Sequence, residues 1–270
     1  MLHTQPSPHS QTRKRILMLH GNGQSGDFFM YKTKFLQNWL KAGIHGTLKH
    51  DSEVSYDDDI ELFYATSPLP TRNHDICQSS KLEALMEQKR GYLEENDNMW
   101  TWGQGDHKTD LVTGLENSIE HIMDILNNHG PFIGVMGFSA GASLAAIIAS
   151  LLERPKRQSC FKFETNHPPL LFSVCFSGFE LSHPYYKAIY RPKIRTPVLH
   201  FIGTLDPIIP PSDTLRLVKR CQCTEVFYFP GTHHVPRTMD VAYTVAMFIK
   251  NLLKTHGEVE RDDDDEWEDL

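Results

Sequence analysis

A serine hydroxyl is a poor nucleophile unless it is held exposed, beside a base and at the N-terminus of a helix. Gly137-Phe138-Ser139-Ala140-Gly141 offers Ser139 that setting. The apolar run Pro131-Phe-Ile-Gly-Val-Met136 precedes it and the Ala-rich run Ala142-Ser-Leu-Ala-Ala-Ile-Ile148 follows, so the pattern reads strand, sharp turn, helix. Glycine at both flanks removes the Cβ atoms that would collide when the serine takes a strained backbone conformation. Acyl transfer through such a serine also needs a base and a group to orient it. Asp206, in Gly203-Thr-Leu-Asp206-Pro, and His233, in Phe229-Pro-Gly-Thr-His233-His234-Val-Pro236, each follow a strand-like run. His233 would take the Ser139 proton on attack and return it to the leaving group; Asp206 would fix the imidazole tautomer and stabilise the imidazolium. A fourth strand exit, His20-Gly21-Asn22-Gly23, can aim backbone N–H groups at a developing oxyanion. The donors there are the N–H of Asn22 and that of Ala140, the residue after the nucleophile.

Simpler readings stand beside these. His20 at a strand end reads as an organiser of its loop rather than a catalyst. Asp206 followed by proline can also begin a turn. Most of the 15 histidines lie in loops or on helix faces, and no H-x-x-x-H or H-E-x-x-H pattern points to a metal site.

The elements that must position these groups alternate along the chain. Residues 15–20 read as a buried strand, 28–42 as an amphipathic helix closed by Gly43, and 61–65 as a second strand. Residues 71–110 are polar and poorly periodic, and end in Met99-Trp-Thr-Trp-Gly-Gln-Gly105. So long an insertion reads as a lid or pocket wall, with Trp100, Trp102 and Gln24 as the residues expected to line a substrate pocket. Residues 112–128 are amphipathic and stop at Gly130-Pro131; strands follow at 169–178, 197–203 and 224–229, and helices at 212–220 and 239–254. Strands apolar on both faces, spaced by helices, make a mostly parallel central sheet with helices on both faces, in one α/β domain. Its chemistry belongs at the carboxyl ends of the strands.

Composition removes other classes. The chain has 270 residues, 40% of them hydrophobic, enough for one substantial core. Net charge is -7, much of it from the acidic segment 256–270, read as a disordered tail; the body is close to neutral, which offers no basic footprint for nucleic acid. Residues 1–13 read as a disordered extension without the apolar stretch of a secretory signal, so the domain occupies 14–255. No run is long enough to cross a bilayer. Five cysteines, odd in number and irregularly spaced, fit a reducing compartment.

Taken together, several ordered segments resemble one family. They are Ile16-Leu-Met-Leu-His-Gly-Asn-Gly-Gln-Ser-Gly26, Asn128 to Gly141, Phe176-Ser-Gly-Phe179, Leu199-His-Phe-Ile-Gly-Thr-Leu-Asp206 and Pro230-Gly-Thr-His-His-Val-Pro236. They are similar to the "family of serine hydrolases" branch of the α/β-hydrolases, which holds the small fungal FSH-type esterases and the ovarian-tumour-candidate esterase of animals. The resemblance covers residues 14–253. It implies the α/β-hydrolase fold, a small-molecule carboxyl ester or thioester as substrate, no cofactor, and a location in the cytoplasm and also the nucleus. The family pattern G-x-H-x-V-P, laid on Gly231 to Pro236, selects His233 over His234. Ala140 stands where the family usually has glutamine. Three functions follow for comparison: an esterase for small to medium acyl groups, a thioesterase releasing acyl chains from a carrier, and a catalytically silent binding protein. A complete Ser139, Asp206 and His233 set argues against the third. Oligomeric state is not written in any of these features.

Overall fold

Ile16-Leu-Met-Leu19 has no polar position to turn toward water, so the strand it forms must be covered on both faces. The computed structural model describes residues 14–44, 60–71, 99–105, 109–155 and 161–265. In chain order the elements are β1 (Lys14–Leu19), α1 (Gly26–Ile44), β2 (Ile60–Ala65), β3 (Leu69–Thr71), β4 (Met99–Thr101), β5 (Gln104–Gly105) and β6 (Val112–Thr113). They continue with α2 (Leu115–His129), β7 (Phe132–Phe138), α3 (Ala140–Leu152), β8 (Phe172–Phe176), a 3-10 turn (Pro184–Ala188), β9 (Val198–Gly203), α4 (Pro211–Val218), β10 (Thr224–Phe229) and α5 (Met239–Asp265).

Six strands form one sheet in the order β10-β9-β8-β7-β1-β2, and every neighbouring pair is parallel. Side chains alternate between two cores. Leu17, Leu19, Val135, Cys175 and Val198 pack under α2, α3 and α4. Ile16, Met18, Met136, Phe172, Val174, Leu199 and Phe201 pack under α1 and α5. Each such fully buried aliphatic or aromatic side chain contributes about 1.5–3 kcal/mol. From β1 the chain first builds β2 on one side, then crosses back to β7 on the other. The sheet therefore reverses its winding between β1 and β7, and the crevice at their carboxyl ends is where an open α/β sheet binds its ligand.

Two details depart from the periodicity. The helix expected over 112–128 starts only at Leu115, because Gly114 takes φ 80 and ends the short strand β6 before it. At the other end α5 runs past residue 254, where its apolar pattern stops, into the acidic segment set apart above as a tail. No proline follows to end it, and Glu258, Glu260 and Arg261 are good helix formers.

The insertion at 71–110 lies largely outside the described residues, but both of its ends are tied. β3 pairs antiparallel with β4, and β5 with β6. The chain thus leaves at Thr71 and returns at Met99 as partners in the same ladder. Among the described residues no helix is long and apolar enough to cross a membrane.

One core position carries a consequence for stability. His200, in the middle of β9, is 0% exposed, and neither ring nitrogen has a partner among the described residues. Burial pulls its pKa, like that of the buried His20, from 6.5 down to about 4. Between these values the unfolded chain binds more protons than the folded one. Stability is therefore complete above the unfolded value and drains away as pH falls toward about 4, by roughly 3 kcal/mol per histidine. His200→Leu removes the contribution of that residue. In urea titrations the loss of unfolding free energy between neutral pH and about pH 4.5 is expected to shrink by roughly 2–3 kcal/mol. An acid limb unchanged by the substitution would refute the assignment.

Candidate active site

Ser139 ends β7 and precedes α3 with φ 55 and ψ -121, a backbone conformation that a side chain rarely adopts. The flanking glycines are what make it affordable. A Cβ on Gly137 would stand 2.2 Å from the carbonyl oxygen of Gly141, and one on Gly141 would stand 2.3 Å from those of Leu19 and His20. The first turn of α3 therefore sits directly on the end of β1. The Ser139 N–H donates to Phe176 O at 2.8 Å, and its carbonyl accepts from Ala142 N–H and Ser143 N–H, so the turn is fixed on both sides.

Asp206 and His233 arrive from loops that are bonded to each other. Thr204 N–H donates to Phe229 O and Leu205 N–H to Gly231 O, both at 3.0 Å. Gly203 and Gly231 permit this approach: a Cβ on Gly203 would lie 2.8 Å from Gly231 O. The result brings together three side chains that the sequence holds far apart. His233 Nδ1 lies 2.7 Å from Asp206 Oδ2, and His233 Nε2 lies 2.9 Å from Ser139 Oγ. A carboxylate only accepts, so Nδ1 carries the proton and Nε2 presents its lone pair to the serine hydroxyl. The ring of Phe138 packs 4.8 Å from the His233 ring. His234 is exposed, and its ring stands against Phe229 at 5.4 Å.

Asp206 spends its other oxygen as well. Oδ1 accepts from the N–H groups of Ile208 and Ile209, both at 2.9 Å. Burial by itself would raise the carboxyl pKa. The hydrogen bond and charge of His233, together with these two N–H groups, outweigh burial and hold it below the ordinary value. The turn that Asp-Pro starts and the contact with His233 thus coexist in one side chain. The two N–H donors were invisible as sequence features, although an Asp side chain accepting from the N–H two residues on is the usual reason it begins a turn.

Asn22 and Ala140 sit at neighbouring strand exits, after β1 and β7. Gly21 N–H donates to Gln24 Oε1 at 3.3 Å, and Gly23 N–H donates to Trp100 O at 2.9 Å. Among the described residues the N–H groups of Asn22, between them, and of Ala140, at the first position of α3, donate to no protein acceptor. The three residues expected to line a pocket fare differently. Trp100 is half-buried. Trp102 is 2% exposed, with its ring against the core and His20. Gln24 directs Oε1 into its own loop. No group of three or more His, Cys, Asp or Glu among the described residues could hold a metal ion.

A family model described as serine hydrolase (FSH1) matches residues 10–245. The chain belongs to that family. Proteins similar to this chain include a Schizosaccharomyces pombe protein named dihydrofolate reductase, 31% identical over 228 residues, 83% of this chain and 44% of that protein. Esterase OVCA2 of Danio rerio is 29% identical over 244 residues, covering 87% of this chain and 96% of the fish protein. The chain spans about half the length of the two fission yeast relatives it matches, 44% of one and 51% of the other. Among solved structures, Arabidopsis thaliana SOBER1 superposes with a TM-score of 0.55 at 16% identity, over 90% of this chain and 100% of the plant protein. That likeness shows the fold, an α/β-hydrolase.

Proposed function

We propose that the chain is a serine hydrolase that cleaves carboxyl esters of small to medium acyl groups through an acyl-enzyme on Ser139. One observation carries this reading: a single imidazole, His233, bonded on one side to Ser139 Oγ at 2.9 Å and on the other to Asp206 Oδ2 at 2.7 Å. As Oγ attacks the acyl carbon, its proton passes to His233 Nε2, and Asp206 stabilises the imidazolium. The carbonyl oxygen gains charge and takes the N–H groups of Asn22 and Ala140, each such donor being worth about 10²–10³ in kcat. Collapse breaks the bond to the alcohol, which leaves with the proton from Nε2. Water then attacks the acyl-enzyme, gives a proton to Nε2, and the acid departs as Ser139 recovers its hydrogen.

The same groups would serve a thioester, whose thiolate leaves with less help from His233, so a thioesterase acting on a carrier-bound acyl chain is the alternative. Trp100 remains the aromatic candidate for a pocket wall. The thiols of Cys175, Cys221 and Cys223 are unpaired, which fits a reducing cytoplasm and nucleus.

Treatment with a fluorophosphonate is expected to label the protein once, with the adduct on the peptide holding Ser139. Rates on matched ester and thioester series would then assign the leaving group. An unlabelled protein would leave a silent binding module as the better account. Asp206→Asn is expected to keep the fold and lower kcat on the order of 10⁴, because the amide favours the wrong imidazole tautomer. Near-full rate in that variant would reduce Asp206 to a turn former.

A further inference from the structure

The loop that presents Asn22 is held by groups outside it. His20, completely buried at the end of β1, lies with Nδ1 2.8 Å from Gly21 O and Nε2 3.1 Å from Ser67 N. A carbonyl only accepts and an N–H only donates, so Nδ1–H donates to Gly21 O and Nε2 accepts from Ser67 N–H. The tautomer is thereby fixed, and burial keeps the ring neutral by lowering its pKa to about 4. The main-chain oxygen of His20 accepts from Trp102 Nε1–H at 2.8 Å, and the two rings lie tilted with centroids 4.8 Å apart. Ser67 Oγ–H in turn donates to Thr101 O. One strand residue further back, Trp100 accepts from Gly23 N–H at 2.9 Å and donates its own N–H to Gln24 O at 3.2 Å. Gln24 closes the loop on itself by taking Gly21 N–H at Oε1.

The consequence is geometric. On either side of Asn22 the backbone N–H groups are already committed, one to Gln24 and one to Trp100. Between them, the N–H of Asn22 donates to no acceptor among the described residues, in a loop that follows β1 next to the Ser139 turn. We infer that His20, Gln24 and Trp102 are positioning residues of the oxyanion hole: they hold the Asn22 N–H in register with that of Ala140 and touch no reacting atom themselves. The inference rests on the serine hydrolase reading above. It also gives the return strand of the insertion a task, since β4 and Trp102 clamp the loop rather than wall a pocket. A donor displaced by about 1 Å from where the oxyanion develops can cost about 10² in rate, while ground-state binding changes little.

Trp102→Phe keeps an aromatic ring in the core and removes the pyrrole part of the indole with its donor to His20 O. In the full-length protein, kcat per active site, counted by saturating fluorophosphonate labelling, is expected to fall about 10–10²-fold with KM within about twofold. The inhibition constant of a trifluoromethyl ketone, which occupies the hole as an oxyanion, is expected to rise by the same factor. Gln24→Ala, at a half-buried position, is read in the same way should Trp102→Phe fail to fold. Gln24→Glu, which restores an acceptor for Gly21 N–H, is expected to recover most of the rate. Folded Trp102→Phe and Gln24→Ala with unchanged kcat and unchanged ketone affinity would overturn the inference alone. So would a loss confined to the number of active sites. Wild-type protein that is never labelled at Ser139 would overturn it together with the hydrolase reading.

Discussion

His233→Ala is expected to lower kcat by about 10³–10⁶, and His234→Ala to leave it within about threefold. The two residues are adjacent and chemically identical, so only placement separates them. His233 stands between Ser139 and Asp206, with both ring nitrogens engaged. The next side chain projects elsewhere: His234 is exposed, its ring beside Phe229. In the proposed mechanism, with His233 gone no described side chain bonded to Ser139 Oγ would remain to take its proton, and the serine would attack as a neutral hydroxyl. With His234 gone, the Asp206 to Ser139 relay is untouched. Steady-state rates on one activated ester, with both variants checked for native melting, would rank them. Equal losses would show that the loop moves as a unit and that the imidazole contact at Ser139 is not the decisive one; the reverse ranking would refute the assignment outright.

The parts of this site that were legible in the sequence share a cause. An elbow serine needs glycine on both sides and an apolar strand and helix around it, so local composition reveals it. Asp206 and His233 follow apolar strands, and the carboxyl ends of such strands in a parallel sheet meet on one edge. What stayed hidden depends on pairs distant in the chain. Trp102 looked like a pocket wall because large apolar area near glycines suits a binding slot; its contact with His20 spans 82 positions, which no periodicity reports. The link from Ser67 to His20 spans 47. His200 was read only as one residue of a strand. That it has no polar partner among the described residues is a property of the packed sheet, not of its neighbours in sequence. Where α2 starts turned on one left-handed glycine, Gly114, inside a pattern that otherwise reads as continuous helix.

Ser139→Ala is expected to lower kcat by about 10⁶ and to abolish fluorophosphonate labelling, and adding His233→Ala to it is expected to cost almost nothing more. The reasoning lies in how the two groups act. In the proposed mechanism His233 acts only by moving the proton of Ser139 Oγ, so once that oxygen is absent the imidazole would have no proton to move. Losses that summed, giving a double variant far below either single one, would mean that His233 does chemistry independent of Ser139. A direct attack by water on the ester, activated by the same imidazole, would be the mechanism to consider in its place. The residual rate of the double variant carries information too. It reports what substrate binding and the Asn22 and Ala140 donors supply by themselves, expected at about 10³–10⁴ over the uncatalysed reaction. Combining Ser139→Ala and His233→Ala with Trp102→Phe should therefore still lower the rate, because the clamp on the oxyanion loop acts on that residual part. Proton transfer and oxyanion stabilisation would then be separable in one chain, one additive with the Trp102 clamp and the other not.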